Sequence, residues 1–185
     1  MAERSSLVRL LSEYDLELDW RGFELHPDTP PGGMRLDEYF PRERLAVMSE
    51  HLQAVAAHFG ISDFRQSERI PNTRRALALA EVARDEGKLD AFRERAMHAH
   101  WRDGMDLEKD ADLAIIARDA GLPDDAVARS KSDRFLARID ETREEANHIG
   151  VRGIPTFILD RYAISGAQSY EVFRQLAEQA GAEKR

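Results

Sequence analysis

Residues 153 to 173 read GIPTFILDRYAISGAQSYEVF, and no other stretch limits the fold as tightly. A proline opens the apolar run TFIL. Proline has no N–H to give to a ladder, so it fits the first residue of a strand or an edge. Asp160 and Arg161 alone separate this run from a second one, YAIS, at the spacing of a tight hairpin. Ser169 then precedes a helical pattern that runs to about residue 180. Strand, turn, strand and capped helix read as one supersecondary unit. The chain has no cysteine.

The rest of the chain is largely helical in pattern. In SSLVRLLSEY, residues 5 to 14, Leu7, Leu10, Leu11 and Tyr14 share a face, and Ser5 or Ser6 can cap it. Residues 16 to 25, LELDWRGFEL, alternate in one phase through Leu16, Leu18 and Trp20 and in the other through Phe23 and Leu25. That pattern predicts a strand with a bulge or kink at Gly22. HPDTPPGG, residues 26 to 33, reads as a loop. A helix follows from Glu43 to Phe59, with Gly60 placed to end it, and another starts behind Asn72 as its N-cap, with Gly87 beyond it. Further helical stretches cover 89–101, 107–120 and 132–149, with Gly121 and Gly150 just past the last two. One strand, a long helical block, then a hairpin and helix predict a small sheet with a helical insertion.

With 185 residues the chain can bury one sizeable core. Its net charge of -8 repels nucleic-acid phosphates and anionic lipid, so neither is expected as a partner. No apolar run approaches the roughly 20 residues that span a bilayer. The start, MAERSSLVRLLSEYD, lacks the long apolar core of a secretory signal, which sets the expected location as the cytoplasm. Without cysteine the chain has no disulfide, zinc thiolate or thiol nucleophile of its own. The histidines give no metal spacing. His98 and His100 are two apart on a helix and point to different sides, while His51 and His58 share a face two turns apart. No metal and no cofactor are expected. Trp20 and Trp101 read as core or interface residues.

The tail resembles the end of the DsbA-like family of thioredoxin-fold proteins, in particular its cytosolic FrnE-like branch. Gly153, Ile154, Pro155, Phe157, Tyr162, Ser165, Gly166, Ala167, Gln168 and Phe173 match that family's pattern. Upstream, WRGFELHPDTP is similar to the family's second strand and following loop, PNTRRALALAEVARDEGK to its Asn-Thr helix, and ARDAGL to the end of a helix of the insertion. The resemblance implies an α/β fold across residues 1–185: a thioredoxin-like part at 1–39 and 151–185, and an all-helical insertion at 40–150. It implies thiol–disulfide oxidoreduction as the parent activity, with a thiol- or disulfide-bearing protein or a small thiol as partner. It also implies a cis Ile154–Pro155 bond. The substrate-binding residues it implies are Gly153, Ile154, Pro155, His26, Asn72 and Thr73, with none catalytic.

The departures from the family define further expectations. The family's first strand and Cys-x-x-Cys precede the helix in which this chain opens, and neither is found here. The chain is therefore expected to be a truncated oxidoreductase without its redox cysteines, inactive as it stands. One alternative is a redox-inactive binding or scaffold protein. Another is a relative of the glutathione-dependent isomerases and transferases, which use a serine or cysteine. Ser5 and Ser6 lie more than a turn beyond that position. Leu77 stands where the branch often has histidine, and the hairpin turn lacks its common glycine. In the family the first strand lies between the strands matched here by 16–25 and 155–159. Those two are expected to pair directly, or to take a partner chain, as in a homodimer.

Overall fold

The computed structural model describes residues 4–58 and 67–185, in two compact units, Met1–Arg21 with Ala146–Arg185, and Gly22–Glu145.

The first unit is built on α1 (Arg4–Glu13), a hairpin of β3 (Thr156–Leu159) and β4 (Tyr162–Ser165), and α9 (Tyr170–Gln179). Leu7, Leu10 and Tyr14 recur at helical spacing and are buried with Phe173 and Ala177 of α9. The strands pair antiparallel with Phe157 opposite Ile164 and Leu159 opposite Tyr162. Their alternation sends Phe157, Leu159 and Ile164 onto this cluster and leaves Ile158 and Ala163 exposed. The Phe157 ring meets Phe173 edge-on, centroids 4.7 Å apart at 88°. Burying a ring such as Phe173 contributes about 1.5–3 kcal/mol, which makes this contact a main support of the unit. The turn is formed by Asp160 at φ 54°, a left-handed value that aspartate tolerates better than most residues. The chain's end closes against α1: Asp15 N donates to Glu183 O at 2.8 Å and Arg185 N to Glu13 O at 3.0 Å.

The second unit is a helical cluster. It holds α2 (Leu36–Tyr39), α3 (Arg42–His58), α4 (Arg74–Asp85), α5 (Leu89–Trp101), α6 (Asp110–Asp119), α7 (Ala126–Arg129) and most of α8 (Asp133–His148). Leu79, Val82, Phe92, Leu113, Ile116, Phe135 and Ile139 interlock as its core. A two-residue strand β1 (Met34–Arg35) pairs with β2 (Arg69–Ile70). Runs this short carry no period, so the sequence did not reveal them.

Several expectations are corrected. Residues 16 to 25 form no strand. Leu16 and Trp20 pack on the first unit's core, but Leu18, which alternation would bury with them, is 37% exposed. Beyond Gly22 the order inverts: Glu24 is buried and Leu25 is exposed. Gly22 marks no bulge. A Cβ there would come within 2.7 Å of Leu77 Cδ2, so glycine admits the close approach of α4. The expected direct pairing of 16–25 with 155–159 does not occur, and among the described residues β3 pairs only with β4. Ser5 and Ser6 fall within α1, which begins at Arg4, so neither occupies the position before the helix. Helix α6 starts at Asp110, because Asp106 N–H is taken by the Asp112 carboxylate at 2.8 Å in a preceding turn. Phe59 and Gly60, expected to end α3, lie outside the described residues, as does the side chain of His58.

Candidate functional site

The expected site residues fall in both units. In the first, Gly153, Ile154 and Pro155 form the loop that enters β3. The Ile154–Pro155 peptide is cis. Gly166 N donates to Pro155 O at 2.8 Å, and the Thr156 hydroxyl donates to Gly153 O at 2.7 Å. Thr156 Oγ1 also lies 3.0 Å from Ser165 Oγ. Gln168 Nε2 donates to Ser165 O at 2.6 Å, so the SGAQ segment braces the loop from behind. Main chain and hydroxyls thus fix the loop on both sides, while the Ile154 side chain is 54% exposed. This arrangement presents a rigid apolar ledge without any ionisable group of its own.

In the second unit Asn72 ties loop 26–33 to α4. Its Nδ2 donates to Thr29 O at 2.7 Å, and its Oδ1 accepts Arg74 N–H at 3.0 Å. Thr73, with φ −86° and ψ −3°, is the capping position; its carbonyl accepts Leu77 N–H at 2.9 Å. The Asn72 side chain therefore serves the helix start from one residue before the cap. His26 belongs to the same loop: its carbonyl accepts Thr29 N–H at 3.1 Å, and its ring meets Tyr39 edge-on at 5.8 Å. The structure thus brings together Asn72, Thr73 and the His26 loop, with the polar groups of Asn72 engaged within the unit.

Sequence reasoning missed the groups that hold this loop. The Glu108 carboxylate accepts two main-chain N–H groups, from Gly32 at 2.7 Å and from Asn72 at 2.9 Å. Arg69 donates to the carbonyls of Gly32 and Gly33. Gly33 is required by its own geometry, with φ 68° and a hypothetical Cβ only 2.5 Å from Ile70 O. Thr29 is buried, and its hydroxyl has no hydrogen-bond partner among the described residues. Nothing in the local pattern of LEKD or SERI announces these roles.

Beneath the loop lies a charged group of four. Glu24, 4% exposed, accepts Arg74 and Arg143 at 3.1 Å each, and Asp140 accepts the same two arginines at 2.7 and 3.1 Å. The Arg74 guanidinium holds the Asp140 carboxyl below its usual range, and Asp140 in turn raises Arg74. The cluster is charge-balanced and structural. Burial pushes the His100 imidazole down and favours its neutral form, as suits a helix histidine packed on its neighbours. Among the described residues no three histidines or carboxylates gather as a metal site.

Comparison with protein families matches residues 2–178 to the DSBA-like thioredoxin domain. The chain belongs to that family. Its fold is the thioredoxin-like fold of DsbA proteins, mostly helical and with small sheets. It is similar to the crystal structure of a probable DsbA oxidoreductase from Streptomyces coelicolor, at 24% identity and TM-score 0.82, over 97% of this chain and 83% of that one. It is also similar to a 2-hydroxychromene-2-carboxylate isomerase, at 20% identity and TM-score 0.72, over 97% of this chain and 86% of that one. No curated protein sequence matches it. Among the described residues no helix is long and apolar enough to cross a membrane.

Proposed function

We propose that this chain is the substrate-side part of a DsbA-family thiol–disulfide exchange system, of the FrnE-like branch, and performs no redox step with its own side chains. The carrying observation is the braced ledge at 153–155, where Ile154 is exposed and Pro155 O is fixed by Gly166 N–H, in a chain without cysteine. Exchange needs a thiolate as attacking and leaving group, and no other side chain replaces it. Serine hydroxyls need a positioned base to act as nucleophiles. Ser6 sits in the first turn of α1, and among the described residues its hydroxyl has no hydrogen-bonded base. The ledge accordingly binds: an extended peptide or small thiol lies along the main chain of Gly153, Ile154 and Pro155. His26, Asn72 and Thr73, within the second unit, are proposed by themselves as further substrate-side residues. The proposal sets the protein in the cytoplasm, where a cysteine-free chain forgoes no disulfide stability.

The test compares two polypeptides. One is these 185 residues; the other extends them by the in-frame coding sequence that precedes Met1. The first is expected to be silent in insulin reduction and in refolding of scrambled ribonuclease. If the second carries Cys-x-x-Cys, activity is expected to emerge with it and to vanish when the first cysteine becomes serine. Turnover by the 185-residue chain overturns the proposal. Silence from an extended chain that has the cysteines favours the alternative, a redox-inactive binding or scaffold protein.

A further inference from the structure

The short ladder of the second unit frames a cavity. Met34 faces Ile70 and Arg35 faces Arg69, and Leu36 N donates to Glu68 O at 2.9 Å, which carries the pairing one residue beyond the two strands. That bond sets Glu68 opposite the first residue of α2. On α3, Leu45 and Ser49 stand one turn apart on the same face. Between these elements lies a cavity of about 460 Å³, within the size range of small-molecule sites. Its lining divides by chemistry. Leu36, Leu45 and Ala46 supply the apolar part, and neither leucine belongs to the buried core of the unit. Of the charged residues around it, Arg35 gives Nε and Nη2 to the Asp37 carboxylate at 2.9 and 2.8 Å, so these two charges cancel. The Glu68 carboxylate is exposed and has no hydrogen bond or ion pair among the described residues. The lining therefore carries one net negative charge. Ser49 Oγ is met by Gln53 Nε2 at 3.5 Å, beyond the usual range of a hydrogen bond, and keeps acceptor capacity for a stronger donor.

We propose that this cavity binds a primary ammonium group carried on a short aliphatic chain. The ammonium donates to the Glu68 carboxylate and to Ser49 Oγ, and its third N–H stays in water. The chain lies on Leu36 and Leu45 beside Ala46. Each part of the ligand meets the part of the lining that suits it, and the single positive charge balances the single negative one. A carboxylate in the same place meets Glu68 as a like charge. An alcohol of equal length keeps the apolar contact and loses the charge pairing. Because Glu68 is exposed, that pairing is screened and selects the ligand more than it tightens binding. The inference is independent of the redox reading above, since none of the residues of the ledge or of the His26 loop takes part in it.

Amide NMR of the full chain, titrated at pH 7 with n-hexylammonium chloride, tests this. Saturable shifts are expected at Leu36, Leu45, Ser49 and Glu68, with a dissociation constant on the order of 1 mM, as fits a ligand of so few atoms. From ethylammonium to butylammonium the affinity is expected to rise about two- to fourfold per methylene as the chain covers the leucines. Hexanol is expected to bind at least about threefold more weakly than hexylammonium, and hexanoate more weakly still. Glu68→Gln is expected to remove the preference for the ammonium over the alcohol. Ala46→Phe, which fills the apolar part, is expected to abolish the saturable shifts. Both positions are exposed, and the spectra of the two variants are expected to show the parent fold away from the cavity. Shifts that do not saturate overturn the proposal. So does equal binding of hexanol and hexylammonium by the parent chain, or a Glu68→Gln chain that still prefers the ammonium.

Discussion

Arg74 Nη1 lies 3.1 Å from Glu24 Oε2, and the two residues come from opposite sides of a 50-residue span. Glu24 keeps only 3% of its side-chain surface exposed, whereas Arg74 and Arg143 keep 29% and 31%. The carboxylate is thus the buried hub, and the arginines carry its charge outward. A buried ion pair need not add stability over an apolar replacement, but removing one partner leaves an uncompensated charge.

Glu24→Gln is accordingly expected to destabilise the protein by about 2–3 kcal/mol, below the usual cost of breaking a fully buried pair because both arginines can turn to water. Arg74→Met and Arg143→Met are each expected to cost less, since the remaining arginine still serves Glu24. Urea unfolding of the three variants checks the ranking. A Glu24→Gln variant as stable as the parent removes the hub from the account.

Asn72 is expected to be a structural latch before it is anything else. Asn72→Ala strips Thr29 O and Arg74 N–H of their partner and is expected to cost about 1–2 kcal/mol. Glu108→Ala is expected to speed amide hydrogen exchange at Gly32 and Asn72 together, by about tenfold or more, while amides of α5 keep their protection. Exchange that rises at only one of the two amides refutes the shared clasp.

The tail was legible because each of its residues does one local thing. Pro155 can only begin a strand, two residues can only make a tight turn, and Ser169 can only start a helix where the apolar period resumes. The α-helices followed from period and closing glycine, as at α4 with Gly87 and α8 with Gly150. Residues 16–25 misled because alternation reports which side chains could share a face, not whether a ladder partner exists. Glu24 shows the limit most clearly. A glutamate between Phe23 and Leu25 reads as the solvent side of a strand, and it is buried because Arg74 and Arg143, 50 and 119 positions away, meet it. The same holds for Glu108, whose role depends on amides supplied 76 and 36 positions earlier. Long-range polar pairing leaves no periodic trace.

Gly22 and Leu77 are expected to be coupled. A methyl added at Gly22 would sit 2.7 Å from Leu77 Cδ2, inside van der Waals contact, although the obstacle is the movable end of a side chain. Gly22→Ala is therefore expected to cost about 1–2 kcal/mol, at the mild end of overpacking. With Leu77→Ala the space opens, and Gly22→Ala is expected to become neutral or slightly stabilising. A double-mutant cycle measures this directly: a coupling near zero means that the two residues do not compete for the same space.

Acid is expected to loosen the first unit through two carboxylates. The Tyr170 hydroxyl, then Arg9, lower the Glu13 pKa, and the Tyr14 hydroxyl, then Arg174, lower that of Glu178. Both pairs link α1 and its end to α9: Tyr170 donates to Glu13, and Tyr14 donates to Glu178 at 3.0 Å. A carboxyl whose pKa is lower folded than unfolded adds stability in full above the unfolded value, near 4.3, and loses it as pH falls through the folded value. The unit is thus expected to be indifferent to pH from 7 down to about 5 and to weaken below that. Trp20 packs on this unit's core, so its fluorescence in a Trp101→Phe chain reports the change locally. In Glu13→Gln with Glu178→Gln the hydroxyl donors keep an acceptor that does not titrate. Stability at pH 7 is expected to be lower, and the loss between pH 5 and 3 shallower, than in the parent. An acid transition of unchanged slope in the double variant would assign the pH dependence to other groups.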